Sequence, residues 1–172
     1  MQSEIFQGEC SALRYNALIK GEGIMTDENV SMAARTPIWF YIIGVVAVLW
    51  NAMGVVDYIM TQYRVEAYMS GFTEAQLAYF YGFPTWYVAV WATAVFSALA
   101  ASLLLVVRAK LATPLFALST ILFVINAVYI FGFTAAMEIM GTSNVIFSAV
   151  ILATLLGLWW FSGLSQRRGW LK

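Results

Sequence analysis

Four apolar runs, each of about 20 residues and so long enough to cross the ~30 Å hydrocarbon core of a bilayer as a helix, constrain this chain more than any other feature. They lie at about 37–60, 86–107, 114–136 and 144–164. Inside hydrocarbon the backbone has no water to bond to, and a helix satisfies its polar groups within one segment. The expected fold is therefore an all-α membrane protein with four transmembrane helices in an up-down bundle. Composition agrees: only 10% of the 172 residues are charged and 62% are hydrophobic, whereas about a quarter of a soluble domain is charged. Residues 1–34 mix charges with short apolar stretches. They read either as a polar N-terminal tail or, with Met25 and Met32 as alternative starts, as a start-site extension ahead of a domain at 35–172.

Local signals set the expected boundaries. Thr36 and Pro37 suit the cap and first position of span one, Thr113 and Pro114 those of span three, and Ser143 the cap of span four. Span one is expected to continue as helix past the membrane through Tyr63, Arg64 and Glu66 until Ser70 and Gly71 end it. Thr73 and Gln76 then have the spacing of a capping box. The box would open a short amphipathic helix between spans one and two, with Leu77, Phe80 and Tyr81 in the headgroup layer. Trp39, Tyr41, Trp86, Tyr87, Trp159 and Trp160 are expected to form the aromatic belt at span ends. Of the seven basic residues from Arg35 onward, only Arg64 falls on the side of the first loop. The positive-inside rule then makes both termini cytoplasmic, with Asp57, Glu66, Glu74 and Glu138 outside, and in a bacterium this is a multi-pass protein of the inner membrane.

The polar residues inside the spans are few. At 1.5 Å per residue, Asn51 lies roughly 21 Å along span one, Asp57 roughly 30 Å, and Asn126 roughly 18 Å along span three. Asn51 and Asn126 should thus share a level near the midplane and come within hydrogen-bonding reach, whereas Asp57 sits at the outer interface, solvated or bonded to a neighbouring helix end. Tyr129, Thr93 and Thr154 extend a candidate polar layer in the outer half. Amides beside aromatic rings suit a neutral polyol or sugar; the same amides also serve as a structural pair that fixes helix register. Small residues recur on Gly44, Ala47, Asn51 and Gly54, on Ala89, Thr93, Ser97 and Ala101, and on Ala149, Ala153 and Gly157. Such stripes are expected to be packing surfaces that look into the bundle.

The sequence also narrows the chemistry. It has no histidine, and its one cysteine, Cys10, lies outside the spans. Histidine-held haem, histidine zinc sites and a dithiol relay within the chain are excluded; no metal or other cofactor is expected, and with no paired intramembrane carboxylates the chain is not expected to be an enzyme. Net charge is zero, so nucleic acid is not an expected partner. The expected partners are the lipid bilayer and either further copies of the chain or a larger membrane complex.

Leu49, Trp50, Asn51, Gly54 and Asp57 in span one, Pro84 and Trp86 before span two, and the Leu-rich run ending in Arg108 together resemble a group of small four-helix bacterial inner-membrane proteins that often carry the label "sugar transporter". The resemblance covers about Pro37 to the end of the chain. It implies transport of a small neutral solute, for which four helices would act as an oligomer; the alternative is a non-catalytic accessory or scaffold subunit.

Overall fold

The apolar runs become helices as expected, and packing decides where each one starts, stops and turns. A computed structural model describes residues Thr36–Lys172; the expectations placed on 1–34 and on Cys10 lie outside the described residues. Four helices are long and apolar enough to cross a membrane: α1 (Ile38–Gln62), α4 (Thr85–Val106), α5 (Ala112–Phe133) and α7 (Thr142–Arg167). Three short helices, α2 (Glu66–Met69), α3 (Glu74–Tyr81) and α6 (Ala136–Met140), lie between them at one end of the bundle. Among the described residues there is no strand. Only 22–28% of each span's apolar window is buried inside the chain, so most of its surface is left for lipid or a partner.

The spans pack in the order α1, α4, α5, α7. Gly44 lets α1 approach α4 closely: a Cβ there would stand 2.9 Å from Val106 Cγ2. Gly44, Ala47 and Asn51 are buried, so this stripe does face the bundle. The stripe on α4 does so only in part, because Ala89 and Thr93 are exposed while Ser97 and Ala101 are buried. Steps of four residues advance 400° around a helix, so the line drifts about 40° per step and leaves the inner face. The face that is buried follows alternating steps of three and four instead: Ala94, Ser97, Ala98, Ala101, Ser102 and Leu105. On α7, Ala149, Ala153 and Gly157 point outward, and Leu155, Leu158, Phe161, Ser162 and Ser165 form the buried side.

One end of the bundle is closed by rings. Phe40, Leu105, Phe116, Leu158, Phe161 and Trp170 belong to a single buried cluster. There α1 meets α7 through Phe40 and Phe161, with ring centroids 5.7 Å apart, and Trp39 meets Trp170 at 5.2 Å. The segment after α7 is held against the α4–α5 turn by three bonds: Arg108 Nε to Trp170 O at 2.6 Å, Lys172 N to Arg108 O at 2.6 Å, and Lys110 N to Lys172 O at 3.1 Å. They offset the left-handed backbone of Arg108 (φ 66°), which disfavours a side chain by about 1–2 kcal/mol.

The opposite end departs from the sequence expectation. Helix α1 does not run on to Ser70 but stops at Gln62, because Arg64 takes φ 53°. Arg64 N then bonds Thr61 O and Val65 N bonds Met60 O, the two closing bonds of a Schellman motif with arginine where glycine is usual. The Arg64 guanidinium lies 4.1 Å from the Tyr81 ring centroid, which anchors it. The capping box forms as expected, Gln76 N to Thr73 Oγ1 at 3.3 Å and Thr73 N to Gln76 Oε1 at 3.0 Å. Helix α5 starts at Ala112 rather than Pro114, which is tolerated because the first turn's N–H groups have no intrahelical acceptor. It ends at Phe133, and α6 occupies residues expected to belong to the span or its loop. Helix α7 starts at Thr142 after Gly141, whose φ of 71° makes the turn, and extends to Arg167.

Candidate functional site

Away from the ring cluster, the four spans bound a cavity of about 500 Å³. Each span contributes side chains, among them Trp50, Asn51 and Asp57 from α1, Tyr87 and Trp91 from α4, Ser119, Phe123 and Asn126 from α5, and Asn144, Phe147 and Ser148 from α7. Tyr68 of α2 and Tyr79 and Phe80 of α3 line the outer part. Helices α1 and α7 are not neighbours in the packing order, so they flank the cavity without closing on each other along this half. A second depression, between Tyr58, Gln62 and Phe96, touches only α1 and α4.

Asn51 and Asn126 both line this cavity, but they do not bond each other. Asn51 Nδ2 donates to Ala47 O and to Ser102 Oγ, each at 2.9 Å, and Ser102 Oγ donates to Ala98 O at 2.8 Å. Asn51 meets Ser102 rather than Asn126 because α1 packs on α4. Ser119 Oγ, donating to Ala94 O at 2.9 Å, ties α5 to the other side of α4. Interhelical bonds of this kind contribute about 0.6 kcal/mol each in a membrane protein. Asn51→Leu is therefore expected to lower unfolding stability by about 1 kcal/mol, which unfolding in micelles measures. An unchanged midpoint would mean that the Ser102 bond contributes nothing.

Asn126 is 5% exposed, and its Oδ1 is buried with no hydrogen-bond partner. A buried acceptor left unpaired costs about 1–3 kcal/mol. Its terminal torsion has broad twofold preferences, so a half-turn moves that oxygen to the position the amide nitrogen now holds.

Asp57 lies nearer the rim than Asn51, half-buried, and its Oδ1 accepts the Tyr68 hydroxyl. It is thus bonded to a neighbouring helix end and also lines the outer cavity. Burial, followed by the bond to Asp57, pushes the Tyr68 hydroxyl up to about 12, so Tyr68 stays a donor at neutral pH. Burial also raises Tyr79, partly countered by its 2.7 Å bond to Thr134 Oγ1.

The remaining expected members of the polar layer are elsewhere. Thr93 is exposed and returns its hydroxyl to Ala89 O at 2.8 Å; Thr154 does the same to Val150 O at 2.8 Å. Neither lines the cavity, and their i−4 bonds leave each hydroxyl proton committed to its own helix. Tyr129 packs edge-on to Trp86 with centroids 4.7 Å apart, behind the wall rather than in it. Tyr87, expected in the belt, is 5% exposed and faces inward, whereas Trp39, Trp86, Trp159 and Trp160 are exposed as belt residues should be. Phe80, expected among headgroups, also turns into the cavity. The wall residues Asn144, Ser148 and Ser119 carry no sequence signal beyond polarity at a helix start or on a buried face. Among the described residues no group of three or more histidine, cysteine, aspartate or glutamate side chains could hold a metal. No protein-family model, curated protein or solved structure matches the chain.

Proposed function

We propose that this multi-pass membrane protein takes a small solute into the cavity between its four spans and carries it across the bilayer. The observation that carries the reading is the Asn126 side chain, whose Oδ1 is buried without a partner and which lines a cavity bounded by every span. A volume of about 500 Å³ falls within the usual range of small-molecule sites, roughly 300–1,000 Å³. The resemblance to proteins labelled "sugar transporter" points the same way. Basic residues cluster at the ring-sealed end, so in a bacterial inner membrane this end is cytoplasmic and the cavity opens toward the periplasmic half. Alternating access by four helices needs a second element to rock against, and the protein then works as an oligomer. The outward face of Ala149, Ala153 and Gly157 suits such a neighbour, and equally a larger complex in which the chain is an accessory subunit.

The test is thermal unfolding of the full chain in uncharged micelles with a panel of sugars, polyols and amines. A solute present at 100 times its Kd stabilises by about 2.7 kcal/mol, a rise of several degrees. Asn126→Leu is expected to raise the midpoint without solute, by removing an unpaired acceptor, and to weaken binding about tenfold. A midpoint that no solute moves overturns the reading.

A further inference from the structure

We infer that the solute is an organic monocation with an apolar body, an alkyl- or aryl-ammonium rather than a polyol; this rests on the cavity being a solute site. Of the residues that line it, Asp57 is the one charged group, and no lysine or arginine lies on the wall. Asp57 is half-buried at the rim, where a carboxylate loses part of its hydration and is stabilised by a counter-charge beside it. Here its hydrogen-bond donor among the described residues is a neutral tyrosine hydroxyl, which leaves the charge uncompensated. The basic side chain at this end, Arg64, is exposed and lies over the Tyr81 ring. Glu66, Glu74 and Glu138 are exposed at the same end, so the surroundings of the mouth are net acidic and attract cations.

The rest of the wall completes the match. Eleven of the lining side chains are aromatic, and aromatic faces are the surfaces that hold quaternary and alkyl ammonium groups. A polyol would need a partner for each hydroxyl. On the wall, Asn51 Nδ2 is committed to Ala47 and Ser102 and Ser119 Oγ to Ala94, and most of the other lining side chains are apolar. An ammonium at Asp57 with its apolar body among Trp50, Tyr87 and Trp91 asks far fewer polar partners of the wall than a polyol does. Asn51 lies six residues from Asp57 along α1, roughly 9 Å, so a body the length of one substituted ring spans the distance between the carboxylate and the amide level.

The experiment is calorimetric titration of the full chain in polyoxyethylene ether micelles, which carry no charge. It compares 3-hydroxyphenyltrimethylammonium with its neutral isostere 3-tert-butylphenol and with glucose. The cation is expected to bind at least tenfold more tightly than the isostere, with no saturable heat from glucose. Asp57→Asn, which keeps an acceptor for Tyr68, is expected to erase that preference while leaving the isostere's affinity unchanged. Equal affinities for cation and isostere in the wild-type chain overturn the inference without recourse to the variant, as does a preference that survives Asp57→Asn. If only the isostere or glucose binds, and Asn126→Leu weakens it, the cavity remains a solute site and the cation falls. If no probe binds saturably, both readings fall.

Discussion

Gly44→Leu is expected to separate α1 from α4 and to prevent the chain from accumulating as a folded, monodisperse protein in micelles. Even the first carbon of a side chain meets Val106 Cγ2 at 2.9 Å and Val106 Cα at 3.7 Å, so rotation of one valine relieves only part of the clash. Alanine alone should overpack by about 1–3 kcal/mol, against which it gains about 1 kcal/mol in helix propensity. Leucine adds three carbons where α4 backbone already stands. Forcing the helices apart also breaks the Asn51–Ser102 bond between them, so the two losses compound. Size-exclusion and thermal unfolding of the full chain read the effect, and a wild-type midpoint would show that α1 and α4 do not pack at Gly44. The milder Gly44→Ala provides the control, since Val106→Ala in the same chain should recover most of its loss if the two sites are coupled.

Phe40→Ala should be nearly as damaging, at about 2–4 kcal/mol. Phe40 is fully buried and touches the rings of Tyr41, Phe161 and Trp170 at centroid distances of 5.4, 5.7 and 6.0 Å. In water, losing such a ring costs both transfer free energy and the cavity left behind. In a bilayer the transfer part shrinks, because lipid is as apolar as the core, and the packing part remains. That is why the expected range lies somewhat below the 3–5 kcal/mol, roughly, of a soluble core. Unfolding in micelles measures it. A loss below about 0.5 kcal/mol, the size of a neutral surface change, would mean that the ring cluster does not hold α1 to α7.

These two positions explain how one short bundle can be tight and open at once. The rings fix the spans at one end, where α1 reaches α7 across the bundle. The glycine contact pins α1 to α4 near the same end. Farther along, α1 and α7 have no shared packing, and bulky side chains from α2 and α3 cover the space without filling it. A solute site in that half is supported from a rigid base, which lets wall groups shift while the fold holds.

Much of this architecture was legible in the residues themselves. The four apolar runs dictated four spans, since a continuous apolar run of about 20 residues satisfies its own backbone in hydrocarbon as a helix. The Thr73–Gln76 spacing announced a helix start that forms as written, and Asn51 and Asn126, singled out as the amides within the spans, both line the cavity. Of the two settings expected for Asp57, solvated or bonded to a neighbouring helix end, the structure shows a bond from Tyr68 of α2. What the sequence could not supply is which helix stands beside which, and at what rotation. Depth along a span is a local quantity, fixed by 1.5 Å per residue, but lateral neighbours depend on packing between segments far apart in the chain. Hence Asn51 bonds Ser102 and leaves Asn126 Oδ1 without a partner, while Thr93 and Thr154 turn out of the polar layer. Tyr87 and Phe80 leave the belt and the headgroup layer to line a cavity for the same reason. The sequence by itself determined a four-span membrane protein with few buried polar groups; only the tertiary structure decided that Asp57, Asn51 and Asn126 line one aromatic cavity, because lateral neighbours depend on packing between distant segments.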